Sequence, residues 1–166
     1  FHHSVLIIYK SRNVRYDLHY GGMMASKNQM ESILGSIGIA SNDTIVVYDD
    51  NGLCNSSRLW WILQNYDFDQ VRLLHGGIET WKAAGGEVGQ VVPRSEAAEF
   101  VLSDHPSMKY YCKMEEVQNS LKTEAILIDT RTTDEYSGEK LKKGAQKAGR
   151  IPSAFHIDWA EAIHFS

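Results

Sequence analysis

The sequence predicts an α/β fold in which helices flank a parallel sheet. Short apolar runs without polar alternation, such as 44–48 and 71–74, are typical of strands that a parallel sheet buries on both faces. Segments with helical periodicity separate these runs, and this alternation favours parallel pairing. Hydrophobic residues make up 43% of the 166 residues and charged residues 23%, which is enough apolar material for a core.

The first half of the chain contains the clearest elements. A helix is predicted from Lys27 to Ile37, where Ser26 and Gln29 have the spacing of a capping box. Its apolar stripe consists of Met30, Ile33, Leu34 and Ile37. The further elements expected here are strands at 4–9, 44–48 and 71–74, a helix at 57–65 with Asn55 or Ser56 as its N-cap, and a short helix at 78–84.

The composition changes between Glu87 and Met108, where two prolines and polar residues interrupt the periodicity, so this stretch is interpreted as a linker. A second unit follows. Its expected elements are a helix at 113–121, a buried strand at 125–129, a capping box of Thr132 and Glu135, a solvated basic loop at 140–147, and a turn at 149–154 that leads into 155–157.

Charge and composition exclude several classes of function. The net charge of -4 and the pI of about 6.0 give no support for nucleic-acid binding. No apolar run approaches the roughly 20 residues of a membrane span. The two cysteines lack a CxxC spacing, which indicates no metal site and fits the cytoplasm, with the mitochondrial matrix as an alternative. The seven histidines are scattered and are expected to be structural or exposed.

The most informative segment is the polar loop that begins at Asp49 and ends in a helix opening on Arg58. A loop between a strand end and a helix N-terminus points several backbone N–H groups at one spot, which makes a natural anion site. Asp49 and Asp50 are expected to interact favourably with this helix N-terminus.

Four motifs together resemble the rhodanese (sulfurtransferase) family. They are Val46-Val47-Tyr48-Asp49, Gly76-Gly77-Ile78-Glu79-Thr80-Trp81, Asp129-Thr130-Arg131 and Gly149-Arg150-Ile151-Pro152-Ser153-Ala154. The resemblance covers residues 20–90 and 110–160 and implies a rhodanese-like sheet flanked by helices. In active members a cysteine follows the strand, at the position that Asp49 holds here. The resemblance therefore implies an inactive loop and no catalytic residue in this chain.

Motifs typical of the second half of a rhodanese domain come first in this chain, and motifs typical of the first half follow. A tandem rhodanese shows this order when it is read from the middle of its first domain to the middle of its second. The resemblance implies a rhodanese-like domain at 1–90, a linker at 91–108, and the start of a second domain at 109–166, with its cysteine loop beyond Ser166. The implied parent is a thiosulfate or 3-mercaptopyruvate sulfurtransferase that needs no cofactor or metal and acts on a small sulfur-containing anion. A non-catalytic binding or regulatory module is the alternative, and a homodimer is left open.

Several residues have two interpretations. Arg58 and Arg131 either hold their loops or face an anion, with Asp129 as the structural partner of Arg131. Cys54 is either a relocated nucleophile or a half-buried loop residue, whereas Cys112 is expected to be structural.

The tryptophans Trp60, Trp61 and Trp81 are expected in the core. The lysines at 140, 142, 143 and 147 form either a solvated loop or a docking patch for an acidic partner.

The motif order also leaves two arrangements of the sheet. The two halves could build one composite sheet containing both 45–47 and 126–128, within one chain or between two swapped chains. Two separate sheets are the favoured alternative, because a tandem origin already explains the order.

Overall fold

The computed structural model describes residues 4–8, 23–91 and 96–163. The chain divides into two compact units, Phe1–Tyr111 and Cys112–Ser166. The fold class predicted from the sequence, α/β with parallel strands, is confirmed.

Unit 1 is built on a three-stranded parallel sheet in the order β1 (Ser4–Ile8), β2 (Thr44–Tyr48) and β3 (Val71–Leu73). Ile45 of β2 is in register with Val71 of β3, and its side chain has no exposed surface. The bounds predicted for β2 are confirmed, because a short, continuous apolar run suits a central strand.

Three helices follow the strands of unit 1: α1 (Lys27–Ser36), α2 (Cys54–Asn65) and α3 (Gly77–Ala83). The capping box of Ser26 and Gln29 is present at the start of α1, as predicted. The core of unit 1 consists of apolar side chains from the sheet, from α1 and α2 with the loops beside them, and from the segment after residue 96: Ala25, Met30, Leu34, Ile39, Ile45, Val47, Leu59, Ile62, Leu63, Tyr66, Phe68, Val71, Phe100 and Leu102.

Unit 2 is smaller and contains two-residue strands. Its elements are α4 (Met114–Ser120), β4 (Ile128–Asp129), α5 (Thr133–Ser137), β5 (Phe155–His156) and a 3₁₀ turn at Trp159–Ala162. The strands β4 and β5 pair in parallel with Ile128 opposite Phe155. The capping box of Thr132 and Glu135 is confirmed, and 140–147 is an exposed irregular segment, as predicted.

The prediction of a buried strand at 125–129 is wrong. Only Ile128 and Asp129 are in a strand, and Ile126 and Ile128 are 72% and 54% exposed. In the described part of unit 2, β4 has one short neighbouring strand, so its apolar side chains find few partners. Apolar composition predicts a tendency to be buried, whereas burial itself depends on what packs against the strand.

The prediction of a core position for all three tryptophans is wrong for Trp81. Trp60 and Trp61 are half-buried and pack against the core, but the side chain of Trp81 is 42% exposed. Its indole N–H donates to the carbonyl oxygen of Glu87 at 2.9 Å. A methyl group on Gly86 would lie 2.1 Å from the indole, so Trp81 packs on the turn after its own helix.

The composite sheet considered from the sequence is absent from the described residues. The strands β1, β2 and β3 form one sheet, and β4 and β5 form another. The alternative of two separate sheets is therefore the one that the fold adopts. Among the helices in the described ranges, none has the length and apolar character that crossing a membrane requires.

Candidate functional site

Asp49 lies directly after β2, and its carboxylate is surrounded by backbone N–H donors. Oδ1 accepts the N–H of Asn51 at 3.0 Å and that of Leu53 at 2.8 Å. Oδ2 accepts the N–H groups of Asn55 and Ser56, both at 2.8 Å. The residue is 5% exposed. The anion-binding loop predicted from the sequence therefore exists, and the side chain of Asp49 occupies it.

The backbone conformation of the loop explains how four donors converge. Gly52 and Leu53 both have positive φ, 59° and 63°. Successive residues in the left-handed region turn their N–H groups towards one side of the chain. Glycine adopts this conformation without cost, whereas Leu53 is a non-glycine residue held there by the loop. The N–H of Cys54 instead donates to the carbonyl oxygen of Asn51 at 3.2 Å, which closes the turn into α2.

The helix begins earlier than predicted, and its expected N-cap is wrong. α2 begins at Cys54 and its N-cap residue is Leu53, which makes no side-chain capping bond. Asn55 and Ser56, the predicted caps, lie inside the first turn and donate their N–H groups to Asp49. The sequence rule looks for a capping side chain adjacent to the helix. Here the capping carboxylate comes from the end of the preceding strand.

These hydrogen bonds hold Asp49 ionised. Burial raises the pKa of its carboxyl, but the N–H groups of Ser56, Asn51 and Leu53 together outweigh burial and hold the pKa below its usual range. The positive end of the α2 dipole has the same direction of effect. Asp49 is thus a fixed negative charge at neutral pH.

A second loop packs against the backbone of Asp49. The carbonyl oxygen of Asp49 accepts the N–H of Ile78 at 3.3 Å, at the start of α3. Gly77 has a φ of 63°, and a methyl group on it would lie 2.5 Å from that same oxygen. The Gly76-Gly77 pair found in the sequence therefore allows the turn after β3 to approach the end of β2.

The four N–H groups that bind the Asp49 carboxylate are here called the cradle, and neither cysteine contributes to it. Cys54 is the first residue of α2 and is exposed, so the expectation of a half-buried loop position is wrong. Cys112 is also exposed and precedes α4. Arg58 lies with its guanidinium carbon 4.8 Å from the centroid of the Trp61 ring, so its charge is placed over an aromatic face.

In unit 2, Asp129 and Arg131 form the pair that the sequence predicted. Arg131 Nε and Nη2 donate to the Asp129 carboxylate at 2.9 Å and 2.6 Å, and Nη2 also donates to the carbonyl oxygen of Gly149 at 2.9 Å. The Arg131 guanidinium is the main reason that the pKa of Asp129 lies below its usual range. This pair ties the end of β4 to the turn before β5, and an anion-binding role for Arg131 stays a prediction.

Sequence reasoning missed a second contact to the segment that contains Asp129 and Arg131. His156 Nε2 lies 2.8 Å from the carbonyl oxygen of Arg131, and the His156 ring stacks on Tyr136 with centroids 4.5 Å apart. Tyr136 also donates its hydroxyl to the carbonyl oxygen of Ala154 at 2.9 Å. No spacing signal in the sequence links these residues, because they meet only when β4 and β5 pair.

The described residues contain no group of three or more His, Cys, Asp or Glu side chains that could hold a metal ion. The clusters of titratable residues that the structure does form are ion pairs and helix caps.

Residues 3–84 match the rhodanese-like domain family. Among curated proteins, the chain is similar to the thiosulfate sulfurtransferase of Corynebacterium glutamicum, at 31% identity over 134 residues that make up 76% of this chain and 44% of that protein. It is also similar to the thiosulfate sulfurtransferase of Pseudomonas aeruginosa, at 30% identity over 86% of this chain and 51% of that protein. The chain thus spans about half the length of these relatives.

A solved structure supports the same fold. The crystal structure of SseA from Escherichia coli, described as a 3-mercaptopyruvate sulfotransferase with the rhodanese fold, matches with a TM-score of 0.68. The match covers 82% of this chain and 50% of that one at 21% identity, so it bears on the fold alone. Residues 3–84 therefore belong to the rhodanese-like domain family, and the similarity to thiosulfate sulfurtransferases extends over most of the chain.

Proposed function

We propose that this chain is part of a tandem sulfurtransferase in which the domain at 1–90 is non-catalytic, 91–108 connects it to the next domain while residues 96–108 pack on unit 1, and 109–166 begins a second rhodanese-like domain. One observation carries the proposal for the first domain. The carboxylate of Asp49 accepts all four converging N–H groups of the loop in which an active rhodanese presents its cysteine. The names of the relatives, which are thiosulfate sulfurtransferases, support the activity of the parent.

In the proposed reaction of the parent, a cysteine thiolate attacks the sulfane sulfur of thiosulfate. The S–S bond of thiosulfate breaks, sulfite leaves, and the cysteine becomes a persulfide. A cyanide or thiol acceptor then takes the outer sulfur and releases the thiolate. With 3-mercaptopyruvate as the donor, the sulfur leaves carbon and pyruvate is the product after protonation.

The chemistry of Asp49 excludes it from this role. A carboxylate oxygen has no comparable affinity for sulfane sulfur, and its fixed charge repels a thiosulfate dianion. Its hydrogen bonds also engage the donors that an incoming anion would need. Unit 1 is therefore proposed to stabilise the protein rather than to transfer sulfur.

The same observation favours a second candidate, a non-catalytic rhodanese-like module that binds or regulates a partner. A loop whose donors are filled by its own side chain needs neither a substrate nor a nucleophile to be stable. This candidate differs from the first in the activity of the parent protein and not in the behaviour of residues 1–166.

The experiment is thiocyanate formation from thiosulfate and cyanide, measured for residues 1–166 and for the complete parent. We expect no turnover above background for residues 1–166 and clear turnover for the parent. Turnover by residues 1–166 that is lost in Cys54→Ala would contradict the proposal and identify Cys54 as the nucleophile. An inactive parent, tested with both donors, would leave the non-catalytic module as the function.

A further inference from the structure

A segment beyond the part that matches the family packs along unit 1. The family match ends at residue 84, whereas unit 1 extends to Tyr111. Residues 96–111, here called the strap, contain no helix or strand. Two of its side chains, Phe100 and Leu102, are each only 4% exposed and belong to the core of unit 1. The Phe100 ring packs against Phe68 with centroids 5.1 Å apart.

The first part of the strap is fastened to α1 and the turn after it. The N–H of Leu102 donates to Glu31 Oε1 at 2.8 Å, across 71 residues of sequence. The N–H of Ala98 donates to the carbonyl oxygen of Gly35 at 2.9 Å. The absence of a side chain at Gly35 makes this approach possible, because a methyl group there would lie 2.6 Å from the Ala98 carbonyl oxygen.

The last part of the strap is fastened to the C-terminal end of α2. Asn65, which is fully buried, accepts the N–H of Met108 on its carbonyl oxygen at 3.2 Å. Its side-chain Oδ1 accepts the N–H of Tyr110 at 2.9 Å. The indole N–H of Trp61 donates to the carbonyl oxygen of Tyr110 at 2.9 Å. Asn65 thus satisfies two strap amides that would otherwise lack a secondary-structure partner.

Asp67 holds the middle of the strap. Its carboxylate accepts the N–H of Ser107 at 2.8 Å and also the Ser107 hydroxyl. The hydrogen bonds from Ser107 hold the pKa of Asp67 below its usual range. The side chain of Lys27 and then the N–H of Leu102 do the same for the pKa of Glu31. Both carboxylates that hold the strap are thus ionised at neutral pH, where hydrogen bonds to charged acceptors are strongest.

We propose that residues 96–111 are an integral part of the folded unit 1, a strap that joins α1 to the C-terminal end of α2 and is held by two carboxylates, Glu31 and Asp67, that act independently of each other. The proposal is independent of sulfur transfer. The fastenings use acceptors that belong to different elements, so losing one acceptor releases the amide it binds and leaves the other in place. The strap therefore makes residues 96–111 part of unit 1 in an arrangement that the family match does not include.

The test is amide hydrogen exchange of residues 1–166 measured residue by residue. In the unmodified chain, the N–H groups of Leu102 and Ser107 should exchange much more slowly than an unstructured peptide. Glu31→Ala should speed exchange at Leu102 by about tenfold or more and spare Ser107. Asp67→Ala should speed exchange at Ser107 and spare Leu102. Glu31→Gln, which keeps an acceptor oxygen, should retain most of the protection, and Asp50→Ala serves as a control at an exposed carboxylate.

A second measurement keeps the proposal open to refutation if those variants unfold. Alanine normally stabilises a helix relative to glycine. At Gly35 it should instead lower Tm by about 4 °C or more, because the strap backbone blocks the new methyl group. Ser32→Ala, on the exposed face of α1, is the matched control and should not lower Tm by this amount. Strap amides that exchange at the unstructured rate, or a Gly35→Ala variant of raised Tm, would overturn the proposal.

Discussion

Asp49 Oδ2 accepts the N–H of Ser56 at 2.8 Å, seven residues further along the chain. This contact joins the end of β2 to the first turn of α2 and makes a strand-end side chain the cap of a helix. It explains how the loop is stable, because the chain's own carboxylate satisfies the backbone N–H groups that converge there.

The first prediction concerns the stability provided by Asp49. Asp49→Ala should lower the free energy of unfolding of unit 1 by about 3 kcal/mol, because four N–H groups, of which that of Ser56 is buried, lose a charged acceptor. Asp50→Ala is the matched control. Asp50 is exposed, so its removal should change stability by less than about 0.5 kcal/mol. Urea unfolding followed by tryptophan fluorescence measures both, and equal effects would contradict the cap.

The second prediction concerns pH. Because the pKa of Asp49 is lower in the folded state, its contribution to stability is complete above the ordinary aspartate pKa of about 4 and is lost as the pH falls through the folded value. Other carboxylates with lowered pKa, including Asp129 and Asp67, titrate in the same direction. The difference in unfolding free energy between the unmodified chain and Asp49→Ala should therefore shrink below about pH 4. A constant difference at all lower pH values would contradict the assignment.

The third prediction uses the cradle to activate a thiol. Asp49→Cys should place a thiolate among the N–H donors that now bind the carboxylate, which lowers the pKa of the thiol. We expect iodoacetamide to modify the introduced thiol faster than Cys54 at neutral pH, as measured by peptide mass spectrometry. Asp50→Cys provides a control thiol outside the cradle. A pH midpoint of modification at position 49 that is no lower than the midpoint at position 50 would contradict a lowered thiol pKa.

The fourth prediction concerns the glycine beside Asp49. Gly77→Ala should destabilise unit 1 by about 2 kcal/mol or more, since the new methyl group would lie 2.5 Å from the Asp49 carbonyl oxygen at a φ of 63°. Gly85→Ala is the matched control, because Gly85 also has positive φ, 80°, but no atom lies within 4 Å of the added methyl group. Gly85→Ala should lower the free energy of unfolding by about 1 kcal/mol, because alanine is disfavoured in the left-handed conformation. Equal losses would contradict a tight contact at Gly77.

The elements predicted well are those whose signals are local. The capping boxes at Ser26 and Thr132 depend on side chains three residues apart, and both are present. The Asp129–Arg131 pair spans two residues and was also anticipated. The buried strand at 44–48 is encoded in its own composition, which suits a position between two neighbouring strands.

The sequence by itself determined the resemblance to rhodanese-like domains, the alternation of strands and helices, and a loop after Asp49 whose backbone N–H groups would bind an anion. Only the tertiary structure decided that the cradle closes on Asp49 itself, because its donors converge after Gly52 and Leu53 enter the left-handed region. The tertiary structure also decided the exposure of Ile128 and the course of the strap. These features depend on partners up to 71 residues away, such as Glu31 for the N–H of Leu102, and no local pattern specifies such a pairing.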